Sequence, residues 1–115
     1  MTVSGVILAA GRSSRLGRPK QLLELDGEPI LRIVVRNALA SRLDEVILVL
    51  GAYAEEVAGA VGKLGQRVVI NPGFERGQST SLKTGLAAVS RDADGVMFLL
   101  GDQPEIGPAI IDRVV

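Results

Sequence analysis

A chain of 115 residues can remove roughly 65% of its unfolded surface from water, and with 47% apolar residues but only Tyr53, Phe74 and Phe98 aromatic, its core is one of Leu, Val, Ile and Ala. Thirteen basic and thirteen acidic residues cancel, leaving no long-range field for a nucleic-acid backbone, and the lack of cysteine and histidine removes disulfides, thiol nucleophiles, the usual zinc sites and imidazole chemistry from this stretch. No apolar run reaches the length of about eighteen residues that a spanning helix needs, and no basic-then-apolar leader opens the chain, so the expectation is a cytoplasmic protein with neither membrane nor nucleic-acid partners.

Residues 3–10 are apolar and β-branched before the sequence breaks into glycine and polar residues, which predicts a buried first strand feeding a loop over 11–20. Asp26-Gly27 is a turn signal. Pro29 suits the first position of a helix that exposes Arg32 and Arg36 and buries Leu31, Val34, Val35, Ala38 and Leu39. A strand over 45–50 follows, apolar after its first residue and so central, then an alanine-rich helix over 53–61. Residues 67–70 predict a third strand, closed by Asn71-Pro72-Gly73. The next helix is expected to start with Ser79 as its cap and to bury Leu82, Leu86 and Val89. After a turn at 92–95 comes a fourth strand over 95–100, then Gly101-Asp102-Gln103-Pro104 and a helix begun near Glu105 that is unfinished at Val115.

Strands alternating with helices in this way predict an α/β fold of βα units, a mostly parallel sheet between two layers of helices. No linker or low-complexity tract divides residues 1–115, which read as a single unit. The last helix, unfinished at Val115, leads us to expect an N-terminal portion of a larger domain with little activity alone.

Chemistry-bearing residues fall after three of the four expected strands. The first group is Gly11-Arg12-Ser13-Ser14-Arg15-Leu16-Gly17-Arg18-Pro19-Lys20. Beyond the carboxyl ends of a parallel sheet lies the crevice where ligands bind; glycines there let backbone amides approach a phosphate, and Arg15 and Lys20 can neutralise one. The same residues also suit an ordinary charged surface loop. They match neither a Walker loop, which needs four residues between its first glycine and Gly-Lys-Ser/Thr, nor the dinucleotide fingerprint, which needs further glycines early in the helix. The second group is Asp102, where a carboxylate can hold Mg²⁺, an ion that takes oxygen ligands, or can simply cap its own turn. The third is Gly77-Gln78-Ser79-Thr80-Ser81, whose hydroxyls and amides can meet a base or ribose or form nothing more than a capped helix start.

At these residues the sequence resembles the molybdenum-cofactor nucleotidyltransferases, the cytidylyltransferase branch more closely than the guanylyltransferase branch. The matching strings are Leu8-Ala9-Ala10-Gly11 with Ser13, Arg15, Gly17 and Lys20; Asn71-Pro72 leading to Gly77-Gln78-Ser79-Thr80-Ser81-Leu82; and Gly101-Asp102-Gln103-Pro104. The first is common to many nucleotidyltransferases, whereas the other two are narrower. The resemblance implies a Rossmann-like three-layer domain that binds CTP or GTP with Mg²⁺ and transfers the nucleotide to molybdopterin, releasing pyrophosphate. It implies that Leu8, Ala9, Ala10 and Gly11 lie against the nucleotide, Arg15 and Lys20 on its phosphates, Gln78, Ser79 and Ser81 around base and ribose, and Asp102 on the metal. The rival expectations are a transferase acting on a sugar phosphate or another phosphorylated small molecule, and a non-catalytic nucleotide-binding or regulatory module. A molybdoenzyme or chaperone partner is not legible in the residues.

Overall fold

A computed structural model describes residues 2–10 and 22–115 of the chain. Its centre is β1 (Val3–Ala9), buried along its whole length because a parallel neighbour lies on each side and helices lie above and below. A two-residue-strand hairpin follows, β2 (Glu24–Leu25) and β3 (Glu28–Pro29), then α1 (Ile30–Leu39), β4 (Glu45–Leu50), α2 (Ala54–Val61) and β5 (Arg67–Ile70). A single 3₁₀ turn at Phe74–Arg76 leads into α3 (Gln78–Ala88), β6 (Gly95–Leu100) and α4 (Pro108–Val114).

The sheet runs β5-β4-β1-β6 with every pair parallel, so Val6 sits between Ile47 and Phe98. Two βα steps carry the chain outward from β1 to β4 to β5, and the third returns it past β1 to place β6 on the opposite side. The strand order therefore reverses between β1 and β6, and it is outside the carboxyl ends at such a switch point that open α/β sheets bind ligands.

Alternation along β1 divides the core. Val3, Ile7 and Ala9 join Leu31, Val34, Val35, Leu48, Leu50, Val57 and Ile111 beneath α1, α2 and α4. Val6, Leu8 and Ala10 join Ile47 and Val49 on the other face, under Leu82 of α3. The expected three layers are present, and among the described residues α3 is the α-helix on the second face. The edge strands are less covered: Val68 and Ile70 of β5, and Phe98 and Leu100 of β6, stay exposed.

Local departures from expectation have physical reasons. Asp26 and Gly27 both have positive φ, 54° and 79°, which suits a two-residue turn of the kind that joins twisted strands, and the short β2–β3 pairing around them was not expected from the sequence. The helix expected near Glu105 begins at Pro108, whose missing N–H costs nothing in a first turn. In α3 the cap is Gly77, with φ 111° and no side-chain hydrogen bond, instead of Ser79. That helix turns Ser81 and Gly85 to the sheet and leaves Leu86 50% exposed, which reverses the expected burial of Leu86. A side chain at Gly85 would collide with Val6, so α3 sits closer to the sheet than a leucine-faced helix could. Val89 follows the helix and packs against the edge of the same apolar cluster, partly buried as Leu82 is.

Candidate active site at the carboxyl rim

Sheet geometry gathers the ends of β1, β4, β5 and β6 along one rim. Leu8, Ala9 and Ala10 close β1 there and are all 9% exposed or less. Ala10 belongs to the apolar cluster beneath α3, and its carbonyl lies so close to Gly51 that a Cβ added to the glycine would stand 2.8 Å from that oxygen and 2.6 Å from Phe74 Cβ. Gly51 is thus required by the close approach of β1 and the 3₁₀ turn. Sequence reading passed it over because a lone glycine after a strand carries no distinctive signal.

Beside the end of β1 lies the turn after β6. The Gly101 amide donates to Leu8 O at 3.1 Å, prolonging the β1–β6 ladder by one bond, and a Cβ on Gly101 would come within 3.2 Å of the same carbonyl and 3.1 Å of Ala9 Cβ. Asp102 follows directly and is exposed. The far end of this turn is tied down from α1, where Asn37 Nδ2 donates to Pro104 O at 3.0 Å. Gly11, Arg15 and Lys20, the remaining residues expected at this end of β1, lie outside the described residues.

Carboxylates at the opposite, amino end of the sheet are occupied in building it. Asp44 accepts from the Val3 amide at 2.7 Å and Asp94 from the Thr2 amide at 2.8 Å. Glu45 accepts from the Ser4 hydroxyl at 2.6 Å and from the Ser90 amide at 2.8 Å. These two donors, with Arg67 adding a smaller attraction, hold the Glu45 carboxyl below its ordinary range despite some loss of water. Among the described residues no group of three or more acidic, cysteine or histidine side chains gathers as a metal cage.

The start of α3 completes the rim. Gln78 and Ser79 are exposed in its first turn, where amides lack an intrahelical acceptor and the helix dipole favours an anion. Ser81, grouped with them by sequence, is only 4% exposed, and its hydroxyl accepts from Asn71 Nδ2 at 2.9 Å. Asn71 is itself 2% exposed, and nothing in the Asn71-Pro72 pair as sequence marks it for burial or a role.

A parallel sheet with its reversal between β1 and β6, a carboxylate turn on one side of that reversal and a helix start on the same rim is the α/β nucleotidyltransferase fold. The chain belongs to the family of the MobA-like NTP transferase domain, whose model matches residues 5–115. It is 33% identical over 114 residues to the nicotine blue oxidoreductase of Paenarthrobacter nicotinovorans, covering 98% of this chain and 55% of that one. It is also 33% identical over 112 residues to a probable molybdenum cofactor guanylyltransferase of Thermococcus sibiricus, covering 96% and 53%. Among solved structures it is similar to Rv0371c from Mycobacterium tuberculosis H37Rv, with a TM-score of 0.88 at 40% identity over 98% of this chain and 58% of that one. A manganese complex of Rv0371c superimposes with a TM-score of 0.82 at 35% identity, over 99% and 58%. The chain spans about half the length of the curated relatives it matches.

Proposed function

We propose that residues 1–115 form the nucleotide-binding portion of a nucleotidyltransferase, which moves a nucleoside monophosphate from an NTP to a phosphorylated acceptor and releases pyrophosphate. The observation that carries this reading is the junction at the switch point, where the Gly101–Leu8 bond sets Asp102 beside the strand end that continues into Arg15 and Lys20. Family membership supports the same class of reaction.

In this reading the backbone of Leu8, Ala9, Ala10 and Gly11 lies along the nucleotide, Arg15 and Lys20 neutralise its phosphates, and Gln78, Ser79 and Ser81 serve the base and ribose end. Asp102 suits Mg²⁺, a hard ion commonly held by one or two carboxylates together with substrate phosphates. When bound, the metal offsets phosphate charge; the manganese complex of Rv0371c supports divalent-metal use by a relative. An oxygen of the acceptor's phosphate attacks the α-phosphorus, the α–β phosphoanhydride bond breaks, and the electron pair leaves on pyrophosphate. Such an oxygen is already ionised at neutral pH, so no histidine base is needed. The protein's part is alignment and stabilisation of the moving charge.

For the finer assignment we infer CTP as the nucleotide and molybdopterin as the acceptor. Its support is the resemblance at Leu8-Ala9-Ala10-Gly11 and Gly77-Gln78-Ser79-Thr80-Ser81. Ala10 is 4% exposed within the core, so crowding by its methyl group has little reach toward a base. Discrimination against a purine then rests on hydrogen bonds, because polar groups that pair with cytosine stay unsatisfied when guanine enters. The test supplies a full-length form of the enzyme with CTP and GTP at equal concentration and molybdopterin, and reads kcat/KM for each from pyrophosphate release. A CTP preference of at least about tenfold, near 1.4 kcal/mol, is expected; a GTP value equal to or above it would reassign the nucleotide.

A second reading has a specific support, the relative named an oxidoreductase, since one fold can host unrelated chemistries. Failure of any phosphorylated acceptor, sugar phosphates included, to elicit pyrophosphate release from a full-length form would favour it.

A further inference from the structure

Three polar side chains among the described residues are buried: Ser4, Asn71 and Ser81. Ser4 belongs to the amino end of the sheet with Glu45. Asn71 and Ser81 are bonded to one another on the carboxyl rim, and Asn71 is at the centre of the local network.

All the hydrogen-bonding groups of the Asn71 carboxamide are engaged. Its Nδ2 donates to Thr80 Oγ1 and to Ser81 Oγ, both at 2.9 Å, and its Oδ1 accepts from the Gly73 amide at 2.9 Å. Its own amide donates to Leu50 O at 2.7 Å, carrying the β4–β5 ladder one residue past Ile70. One planar group therefore clamps a strand end to the first turn of a helix that starts seven residues later. Thr80 spreads the clamp, because its hydroxyl lies 2.7 Å from Gly77 O and 3.0 Å from Gly73 O and donates its single proton to one of them. Unmade bonds in so dry a place are costly, which keeps the network closed. Gln78 and Ser79, the exposed residues of that first turn, have no part in it; their amides are held in place from beneath.

We propose that Asn71 is a positioning residue for nucleotide binding: through Thr80 and Ser81 it fixes the first turn of α3, so that the amides of Gln78 and Ser79 are set for the nucleotide before it arrives. This rests on the reading of the rim as a nucleotide site. Ser81 contributes as an acceptor for Asn71, and the uncapped start at Gly77 leaves the first-turn amides to the ligand. Preorganisation lowers the ordering cost of binding, so losing the clamp weakens affinity beyond any loss of global stability.

The test compares the parent chain with Asn71→Ala, Thr80→Val and Ser4→Ala. Ser4→Ala is the control for general destabilisation, since it removes the part-buried hydrogen bond of a buried serine at the other end of the sheet. Melting temperature is measured for each, and the Kd for CTP and for GTP with Mg²⁺ is titrated at a temperature where all are folded. Asn71→Ala is expected to weaken binding at least about tenfold, Thr80→Val by a smaller factor, and Ser4→Ala by less than twofold. Should Asn71→Ala fail to fold, Thr80→Val against Ser4→Ala decides the matter. Parent-like affinity in the rim variants, or losses that only track melting temperature across all three, would overturn the positioning role and leave the nucleotide site standing. A parent chain that binds neither nucleotide would instead overturn the functional reading, and the inference with it.

Discussion

Glu45 ties three segments together, since its carboxylate on β4 accepts from Ser4 on β1 and from Ser90 just after α3. Because those bonds favour the ionised form, its folded-state pKa lies below the ordinary value of 4.5. The stabilisation is present above that ordinary value and is lost as pH falls through the lower folded one. Glu45→Gln should therefore flatten the loss of melting temperature as pH drops below 4.5, and an unchanged acid slope would contradict the assignment. Gly51 makes a different kind of demand. A methyl group there meets the Ala10 carbonyl and Phe74, so Gly51→Ala should destabilise by about 1–3 kcal/mol in denaturant titration; a stable, parent-like variant would mean that the close approach is easily relaxed. At this scale Asp102 was legible in the sequence as a candidate only, because a carboxylate after an apolar strand is conspicuous. Asn71 was legible only as a letter in a motif, since its burial depends on α3 folding back over it.

The elements themselves were mostly readable. Apolar runs bounded by turn residues gave β1, β4, β5 and β6, and Arg32 and Arg36 marked the outer face of α1, where both pair with Glu28. The failure was α3, where reading the leucines as the buried face put Leu86 in the core. Packing at a sheet is decided by how close the backbones come, and there Ser81 and Gly85 prevail over a leucine. Leu86→Gln should accordingly change stability by no more than about 0.5 kcal/mol, whereas Leu48→Ala, at a fully buried position, should cost about 2–5 kcal/mol. A large loss at Leu86 would show that its exposed surface is covered in solution. Both values come from three urea curves, one for each variant and one for the parent.

Over the described residues, sheet order is what brings separate sequence motifs to one rim. Sequence alone placed polar groups after strands but could not say which strands were neighbours, because parallel crossovers leave that choice to long-range packing. With β6 beside β1, Asp102 joins the end of the first strand; with β5 two places away, α3 crosses the sheet's second face and starts on the same rim. The amino end carries Asp44, Glu45 and Asp94, and each already holds a strand start or a neighbouring turn. In the proposed function the two ends of one sheet divide folding from chemistry, with nucleotide and metal bound at the carboxyl end only. The most direct measurement is an amide chemical-shift titration of the chain with CTP and with GTP, in the presence and absence of Mg²⁺, repeated for Asp102→Asn. Shifts are expected at Ala10, Gln78, Ser79, Gly101 and Asp102, with Thr2, Asp44, Ser90 and Asp94 unmoved, and the Mg²⁺ dependence should fall about tenfold or more in the variant. No shift with either nucleotide, shifts centred on the amino end, or an Asp102→Asn response identical to the parent's would contradict the account.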